Sequence, residues 1–192
     1  MKKLCIPVLA IALMACGQQH KPEQAEGRDS TAAATHEKGG EPADERSFLS
    51  HMAASDLKEI KLGELAAQKA KDPRVKKFGA DIVKERTAST LLLQEIARQE
   101  GSTLAPQLSR DDQDEIGLLR DRDNMDRAYI TRMVKEQKRT AERLAQYSNA
   151  KDTAISSYVR RTLPIVNARY DEANKILEDM RKQMNNRDIS HD

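Results

Sequence analysis

Histidine and aromatic residues are scarce in this chain, and their scarcity excludes several classes of active site. The 192 residues include no Trp, 2 Phe, 4 Tyr and 4 His. Outside the N-terminal region only His51 and His191 remain, so no Ser–His or Cys–His nucleophile can be assembled there. A glycine-rich phosphate-binding loop is missing as well. With no catalytic signature, we expect no catalytic residues, no cofactor and no enzyme.

Cysteine is nearly absent, and both copies belong to the N-terminal segment. In MKKLCIPVLAIALMAC, two lysines precede an apolar run over residues 4–15 that is too short to span a bilayer. This is the build of a secretory signal. The ending LMAC resembles a bacterial lipobox, whose Cys becomes the first mature residue and carries acyl chains; the alternative is an ordinary signal with a chance Cys. If Cys5 leaves with the signal and Cys16 is acylated, the mature protein has no disulfide.

The N-terminal segment predicts where the protein is located. Residues 1–15 would be the signal peptide, and several acyl chains on Cys16 would anchor firmly, at about 0.8 kcal/mol per buried methylene. Gly17 follows Cys16. By resemblance to enterobacterial sorting rules, a residue other than Asp at that position favours the outer membrane. We therefore expect lipid anchoring in a Gram-negative outer membrane, with the folded domain in the periplasm.

Leu, Ile, Val and aromatic residues are also missing from residues 17–46, which are rich in Gly, Pro, Ser, Thr and acidic groups. Such a segment cannot bury enough apolar area to offset its ordering entropy. We interpret residues 16–46 as the lipidated Cys and a disordered tether, and residues 188–192 as a disordered end. His20 and His36 lie in this tether, where solvated side chains are the expected state.

Positive and negative charges are nearly balanced, since the chain has 33 basic and 31 acidic residues and a net charge of +2. This balance provides no basic field of the kind that nucleic-acid binders need. The composition is rich in Ala, Lys, Glu, Arg and Leu, which favours helices.

Apolar residues recur at three- and four-residue steps between residues 47 and 187, which predicts long helices. Asp72 and Pro73 read as the cap and first position of a helix that Gly101 closes, and Ser109 as the cap of a short acidic helix. Further long helices are predicted from about 123 to 147 and from near Asp152. Short links between the paired helices predict an all-α, antiparallel four-helix bundle with a short extra helix in the central connection.

Polar residues interrupt the apolar stripes at three positions, Arg86, Gln137 and Arg169. Asp56 and Glu59 lie on or beside the stripe of the first helix, and counting from the turn at 71–73 puts Glu59 at the height of Arg86. Two interpretations stay open. The side chains could form a paired, partly buried polar layer, with Glu85 as a further member. Alternatively, each Arg lies along the bundle edge and extends its charge to water.

Several segments carry a resemblance to a known family. The runs LGELAAQKAKDPRVKKFGADIV, MDRAYITRMVKEQKRTAERL and TLPIVNARYDEA resemble the bacterial domain of unknown function 4142 family, labelled putative outer membrane protein. The resemblance spans about residues 47–180 and implies a ferritin-like helical bundle. It also implies an Asp-His pair at the positions of Glu85 and Arg86, and His at the positions of Gln137 and Arg169.

That resemblance suggests that typical members could bind a metal in this layer, where this chain has none of the histidines. Arg cannot deprotonate to become a ligand, and Gln is a poor one. We therefore expect no metal site and a non-enzymatic structural or partner-binding role in the envelope, possible partners being the membrane and an unidentified protein. Two alternatives stay open: a ferritin-like metal-binding or redox protein, with Asp56, Glu59, Glu85 and Glu136 holding a hard ion, or a binder of small anions through Arg86 and Arg169.

Overall fold

The computed structural model describes residues 45–189, with side chains to residue 186, and all regular secondary structure in this part of the chain is α-helical. Five helices follow one another within it, and no strand occurs there. The predicted signal peptide, Cys16 and most of the predicted tether lie outside the described residues, as do residues 190–192. The helices are α1 Glu45–Lys69, α2 Pro73–Gln99, α3 Arg110–Arg120, α4 Met125–Gln146 and α5 Thr153–Ile189.

Side-chain caps start three of the helices where the sequence predicts them. Asp72 accepts a hydrogen bond from the N–H of Arg74 at 2.8 Å, and Ser109 accepts one from the N–H of Asp112 at 3.1 Å. The Asp152 carboxylate accepts from the N–H groups of Ala154 and Ile155. These bonds satisfy amide donors that have no partner inside the helix, which sets the helix start locally. At the end of α2, Gly101 adopts a φ of 71°, a left-handed conformation that glycine takes without steric cost.

Two of the predicted boundaries differ from the structure. α1 begins at Glu45, two residues before the predicted domain start at 47, and the Glu45 carboxylate accepts a hydrogen bond from the N–H of Asp152. This contact ties the start of α1 to the start of α5. α5 continues to Ile189, past the predicted end at 187, since nothing in residues 181–189 stops a helix. It also continues through Pro164, which is exposed.

The helices pack as a bundle around a core that a polar layer divides in two. α1 lies along α2 and α4 along α5, with α2 also touching α5 and α1 touching α4; α3 packs on α1 and α4. One apolar cluster lies near the α1–α2 turn and includes Leu62, Phe78, Tyr129 and Met133. The other lies near the opposite end and includes Phe48, Leu93, Leu144, Ile155 and Tyr158. None of the described helices is both long and apolar enough to cross a membrane.

The buried face of α1 is rotated from the predicted one in its second half. Glu59, Leu62, Leu65 and Ala66 are buried, while Ile60 and Ala67 are only partly buried, although three- and four-residue steps through Asp56 and Gly63 would place both on the core side. α1 contacts α2, α3 and α4, so its buried face is wider than a single stripe. The rotation brings Glu59 to the interior.

α1 and α2 approach each other most closely at two glycines. A Cβ on Gly63 would lie 2.7 Å from the Gly79 carbonyl oxygen, and a Cβ on Gly79 would lie 2.8 Å from the Gly63 carbonyl oxygen. Both obstacles are backbone atoms, which cannot rotate away. The absence of side chains at both positions therefore permits the close packing of this helix pair.

We expect Gly63→Ala and Gly79→Ala each to lower the free energy of unfolding, because the added methyl overlaps backbone; the typical cost of overpacking is about 1–3 kcal/mol. Gly117→Ala in α3 is the matched control, since a Cβ there has no atom within 4 Å. It should leave stability unchanged or raise it by up to about 1 kcal/mol through helix propensity. Urea unfolding followed by circular dichroism measures all three. Equal effects at 63, 79 and 117 would contradict the close approach.

Candidate functional site: a buried arginine–carboxylate layer

Four of the predicted polar residues meet in the interior. Asp56 and Glu59 come from α1, Arg86 from α2 and Gln137 from α4, and each is at most 1% exposed. Together with Thr140 of α4 they form what we call the inner cluster. Arg86 is among the largest fully buried side chains in the described part of the chain. A ligand could reach this cluster only if the helices separated.

The Arg86 guanidinium, carried by α2, is held by side chains of two other helices, α1 and α4. Its Nε donates to Glu59 Oε2 at 2.8 Å, and one terminal nitrogen donates to Gln137 Oε1 at 2.7 Å. The other terminal nitrogen lies 3.8 Å from Asp56 Oδ1. Burial acts to lower the pKa of Arg86, but Glu59 and Asp56 outweigh it and raise the pKa above its ordinary value. The group is therefore a permanent buried cation.

Glu59 is the acceptor on which the inner cluster converges. Besides Arg86, its Oε2 accepts from Gln137 Nε2 at 2.7 Å, and its Oε1 accepts from Thr140 Oγ1 at 3.1 Å. Gln137 thus accepts from Arg86 with its oxygen and donates to Glu59 with its nitrogen, so its two amide ends complete a closed ring of contacts. A buried charge is tolerable when it is paired and its remaining hydrogen-bonding positions are filled, and Glu59 meets both conditions.

Asp56 is less well satisfied. Its Oδ1 has no hydrogen-bond partner in the described part of the chain, and Thr90 Oγ1 lies at a long 3.5 Å from Oδ2. Burial raises the pKa of Asp56 to about 7, against the opposing charge of Arg86. One guanidinium thus faces two carboxyl groups, and the raised pKa favours the protonated form of Asp56 up to near neutral pH.

Two tyrosines border the inner cluster, one with a partner and one without. The Tyr158 hydroxyl is 2.7 Å from Ser89 Oγ. The Tyr129 hydroxyl is buried with no hydrogen-bond partner among residues 45–186. Burial, and secondarily the charge of Glu59, raises the pKa of Tyr129, so the phenol stays neutral. Both rings pack edge-on against a phenylalanine, Tyr129 against Phe78 and Tyr158 against Phe48.

Arg169 and Glu85 do not join the inner cluster, which corrects the prediction of one layer containing both arginines. Arg169 of α5 donates to both carboxylate oxygens of Glu85 at 2.9 and 2.6 Å, and also pairs with Asp81 and Glu172. Its side chain is 18% exposed. Glu85 and Arg86 are consecutive on α2, so their side chains point about 100° apart and cannot face the same neighbours. We call Asp81, Glu85, Arg169 and Glu172 the outer cluster.

A third ionic cluster was not predicted from the sequence. Lys58 of α1 lies 2.5 Å from Asp112 and 3.0 Å from Glu115, both on α3, and 3.6 Å from Glu136 on α4. Burial acts to lower the pKa of Lys58, but Asp112 and Glu115 overcome this effect and raise it. The acidic composition of α3 was the only sequence signal that a cation faces it. Glu136, considered above as a hard-ion ligand, is engaged here by Lys58 and by Arg132 at 2.7 Å.

The arrangement offers little to a metal ion. In the described part of the chain, no group of three or more His, Cys, Asp or Glu side chains is placed to hold one. The only histidine there, His51, is exposed and lies 3.2 Å from Ser47 Oγ. At the centre, the place between carboxylates that a cation would take is filled by the Arg86 guanidinium. The charged groups of the inner cluster pair with one another, and Asp56 can gain or lose one proton.

Comparison with known proteins identifies a family and a fold. The model of a family described as Domain of unknown function (DUF4142) matches residues 29–176. No curated protein matches the chain. Among solved structures, CopM in the Cu(I)-bound form is similar with a TM-score of 0.62 and 17% identity, over 70% of this chain and 96% of that one. A DUF305 fragment from Deinococcus radiodurans has a TM-score of 0.63 and 11% identity, over 69% and 94%. At such identities the likeness concerns the fold alone.

We expect Arg86→Met to lower the free energy of unfolding by about 3–5 kcal/mol, because it leaves Glu59 buried without its cation. Adding Glu59→Gln removes that orphaned charge and keeps an acceptor for Thr140. The double variant should therefore lose less than the sum of the two single changes, by about 1 kcal/mol or more. Arg169→Met is the control, with a smaller loss of about 1 kcal/mol because that pair is partly solvated. Additive losses at 59 and 86 in urea unfolding would refute the coupling.

Asp56 predicts a pH dependence of stability. Its pKa is raised from 3.8 in the unfolded chain to about 7 in the folded one, so the folded state binds more protons between these values. Stability therefore falls as pH rises through this window, by at most about 1.4 kcal/mol per pH unit. The lowered pKa values of Asp72, Asp81 and Asp112 act in the opposite direction, below that window.

The side chain of Asp56→Asn stays neutral at every pH, so this variant should flatten the dependence of the free energy of unfolding on pH between pH 5 and 8. At the alkaline end of that range it should be more stable than the wild type, because it keeps the neutral form that burial favours. Urea titrations at several pH values measure both chains. A wild-type profile that Asp56→Asn leaves unchanged would show that Asp56 titrates normally.

Proposed function

The chain belongs to the DUF4142 family, and from that premise we propose that it is a non-enzymatic, lipid-anchored envelope protein whose helical domain has a structural or partner-binding role in the periplasm. The observation that carries the proposal is the buried contact of Arg86 with Glu59 and Gln137. The Arg86 side chain occupies the interior position in which a helical bundle of this kind would hold a metal. The outer surface is then the part of the domain that would contact partners.

The finer architecture is part of the proposal. We assign the four long helices to a ferritin-like antiparallel bundle of two hairpins, α1–α2 and α4–α5, with α3 in the central connection. In support, each hairpin has a short link, and its two helices make the most extensive contacts in the described domain. Contacts of α2 with α5 and of α1 with α4 join the hairpins.

Membrane attachment is proposed from the N-terminal sequence. The lysines and apolar run of residues 1–15, followed by LMAC, support cleavage before Cys16 and acylation of that residue. Residues 17–44 would then link the anchor to the start of α1. Outer-membrane sorting is proposed on the same ground as above, the absence of Asp at position 17.

Copper and silver binding by CopM raises the alternative of a metal carrier, and the charges of this chain weigh against it. Arg86 is a permanent cation at the centre. Three methionines, Met125, Met180 and Met184, line one surface depression and have the thioether chemistry that Cu(I) prefers. Six Lys and Arg side chains line the same depression and outnumber its three carboxylates, which disfavours a bound cation there.

The alternative of an anion clamp formed by Arg86 and Arg169 has no geometric support. Arg86 is 1% exposed and bound to Glu59 and Gln137, while Arg169 is bound by carboxylates of the outer cluster. At each site an anion would have to displace carboxylates that are side chains of the same chain and therefore cannot diffuse away. We therefore assign both arginines to holding helices together.

One preparation tests the proposal. The full chain, expressed in a Gram-negative host and extracted from the envelope with detergent, is analysed by mass spectrometry of its N-terminal peptide and by titration with Cu(I), Ag(I), Zn(II) and Mn(II). We expect acyl chains on Cys16 and no stoichiometric metal.

The matched control is the double variant Arg86→His with Gln137→His. These two side chains meet in the wild type beside Glu59, so the change places two imidazoles and a carboxylate together and should create metal binding. Stoichiometric metal in the wild type would refute the structural role of the layer. An unmodified Cys16 would refute the anchor and leave the question of the layer to the metal titration.

A further inference from the structure

One end of the helical domain carries a concentration of positive charge that the proposed function does not use. A depression of about 1160 Å³ lies where the α1–α2 turn, the end of α3, the start of α4 and the last turns of α5 meet. We call this depression the basic groove. Its basic lining residues are Lys69, Lys71, Arg74, Arg120, Arg122 and Arg127. The whole chain has a net charge of only +2, so this end is much more basic than the average surface.

Two of the three carboxylates that line the groove already accept hydrogen bonds from other residues. Asp126 accepts hydrogen bonds from the backbone N–H groups of Lys71 and Asp72, at 2.6 to 3.1 Å. Asp72 caps α2 and binds the Arg74 side chain at 2.7 Å. By contrast Lys69, Arg120 and Arg122 are exposed, and within residues 45–186 no carboxylate pairs with them. These three cations therefore face solvent, and among the carboxylates that line the groove only the exposed Asp123 is left to offset them.

Apolar side chains lie among these cations. Met125, Met180 and Pro73 line the groove, and Met184 there is 38% exposed. A second depression of about 340 Å³ shares Arg122, Asn124 and Arg127 with the first and extends the basic surface to Lys135. It is lined by Leu118, which at 68% is one of the most exposed large apolar residues described.

Exposed cations interleaved with exposed Leu and Met match the interface of an anionic bilayer. Lys and Arg near such a surface contribute about 1 kcal/mol each through lipid phosphates, and apolar side chains insert among the head groups. A nucleic acid would use the charges and leave Leu118 and Met184 uncovered, whereas a bilayer covers both kinds of side chain. We propose that the basic groove docks the domain onto a membrane surface rich in anionic phospholipid. This contact is independent of any acyl anchor on Cys16.

The groove lies at the opposite end of the domain from the start of α1. α1 has 25 residues and is therefore about 37 Å long, with Glu45 at one end and Lys69 at the other. An N-terminal anchor and the basic groove would thus hold the domain at two separate points. Binding at the groove then orients the domain instead of repeating the anchor.

The test uses the full chain with Cys16→Ser, so that acyl chains cannot contribute and failure of the proposed anchor does not affect the result. Flotation with vesicles of phosphatidylcholine, with and without about 30% phosphatidylglycerol at about 0.1 M salt, measures the partition coefficient. We expect the anionic lipid to raise the partition coefficient. The triple change Lys69→Gln, Arg120→Gln and Arg122→Gln should lower it by about tenfold or more.

The matched control neutralises three exposed cations elsewhere, Lys84→Gln, Lys151→Gln and Arg161→Gln, in the same background. It carries the same net charge and the same N-terminal apolar segment, so general electrostatics or insertion of that segment affects both triple variants equally. Circular dichroism melting confirms that both are folded. A loss confined to the groove variant supports the proposal.

Three results would overturn it: equal losses in the two triple variants, a difference between the groove variant and the control that does not depend on phosphatidylglycerol, and release of the bound chain by millimolar inositol hexakisphosphate with saturable binding of that compound. The last outcome would assign the groove to soluble phosphates and not to a bilayer.

Discussion

The ion pair between Arg86 and Glu59 is the constraint on which the interior of this domain depends. A guanidinium and a carboxylate, each about 1% exposed, can persist only while they contact each other and while Gln137 and Thr140 fill the remaining hydrogen-bonding positions. α1, α2 and α4 must therefore keep one relative height, since a shift by one turn would break several of these contacts at once. The apolar clusters on either side supply burial, and the polar layer specifies how the helices are aligned.

The same layer includes a group that is not fully accommodated. Asp56 shares Arg86 with Glu59, and its Oδ1 has no hydrogen-bond partner in the described domain. Within the inner cluster one guanidinium faces two carboxyl groups, and protonation of Asp56 relieves that excess of acid, which links the stability of the domain to pH in the neutral range. Around the inner cluster, the outer cluster on α2 and α5 and the Lys58 cluster on α1, α3 and α4 join further helix pairs. Ionic contacts thus connect every helix of the described domain.

Local signals predicted the elements well, and long-range signals predicted the site only in part. Asp72, Ser109 and Asp152 mark helix starts because a cap bonds to amides two or three residues along the same chain. The stripe count marked Arg86 and Gln137 as interior, and the turn at 71–73 related the height of Glu59 to that of Arg86. It also grouped Arg169 and Glu85 with them, and here the count was wrong, because it did not resolve which side of α2 each residue faces. Lys58 was missed since its carboxylate partners lie on α3, more than fifty residues away.

The amino-acid sequence by itself determined where the helices capped by Asp72, Ser109 and Asp152 begin, that Arg86 and Gln137 fall on buried stripes, and that histidines are absent from those two positions. These properties depend on neighbours within a few residues, or on composition, and need no knowledge of packing. The tertiary structure alone decided which charges meet. Consecutive helical residues point about 100° apart, so Arg86 and Glu85 enter different clusters, and only the packing of α1, α2, α4 and α5 determines which partner each one finds.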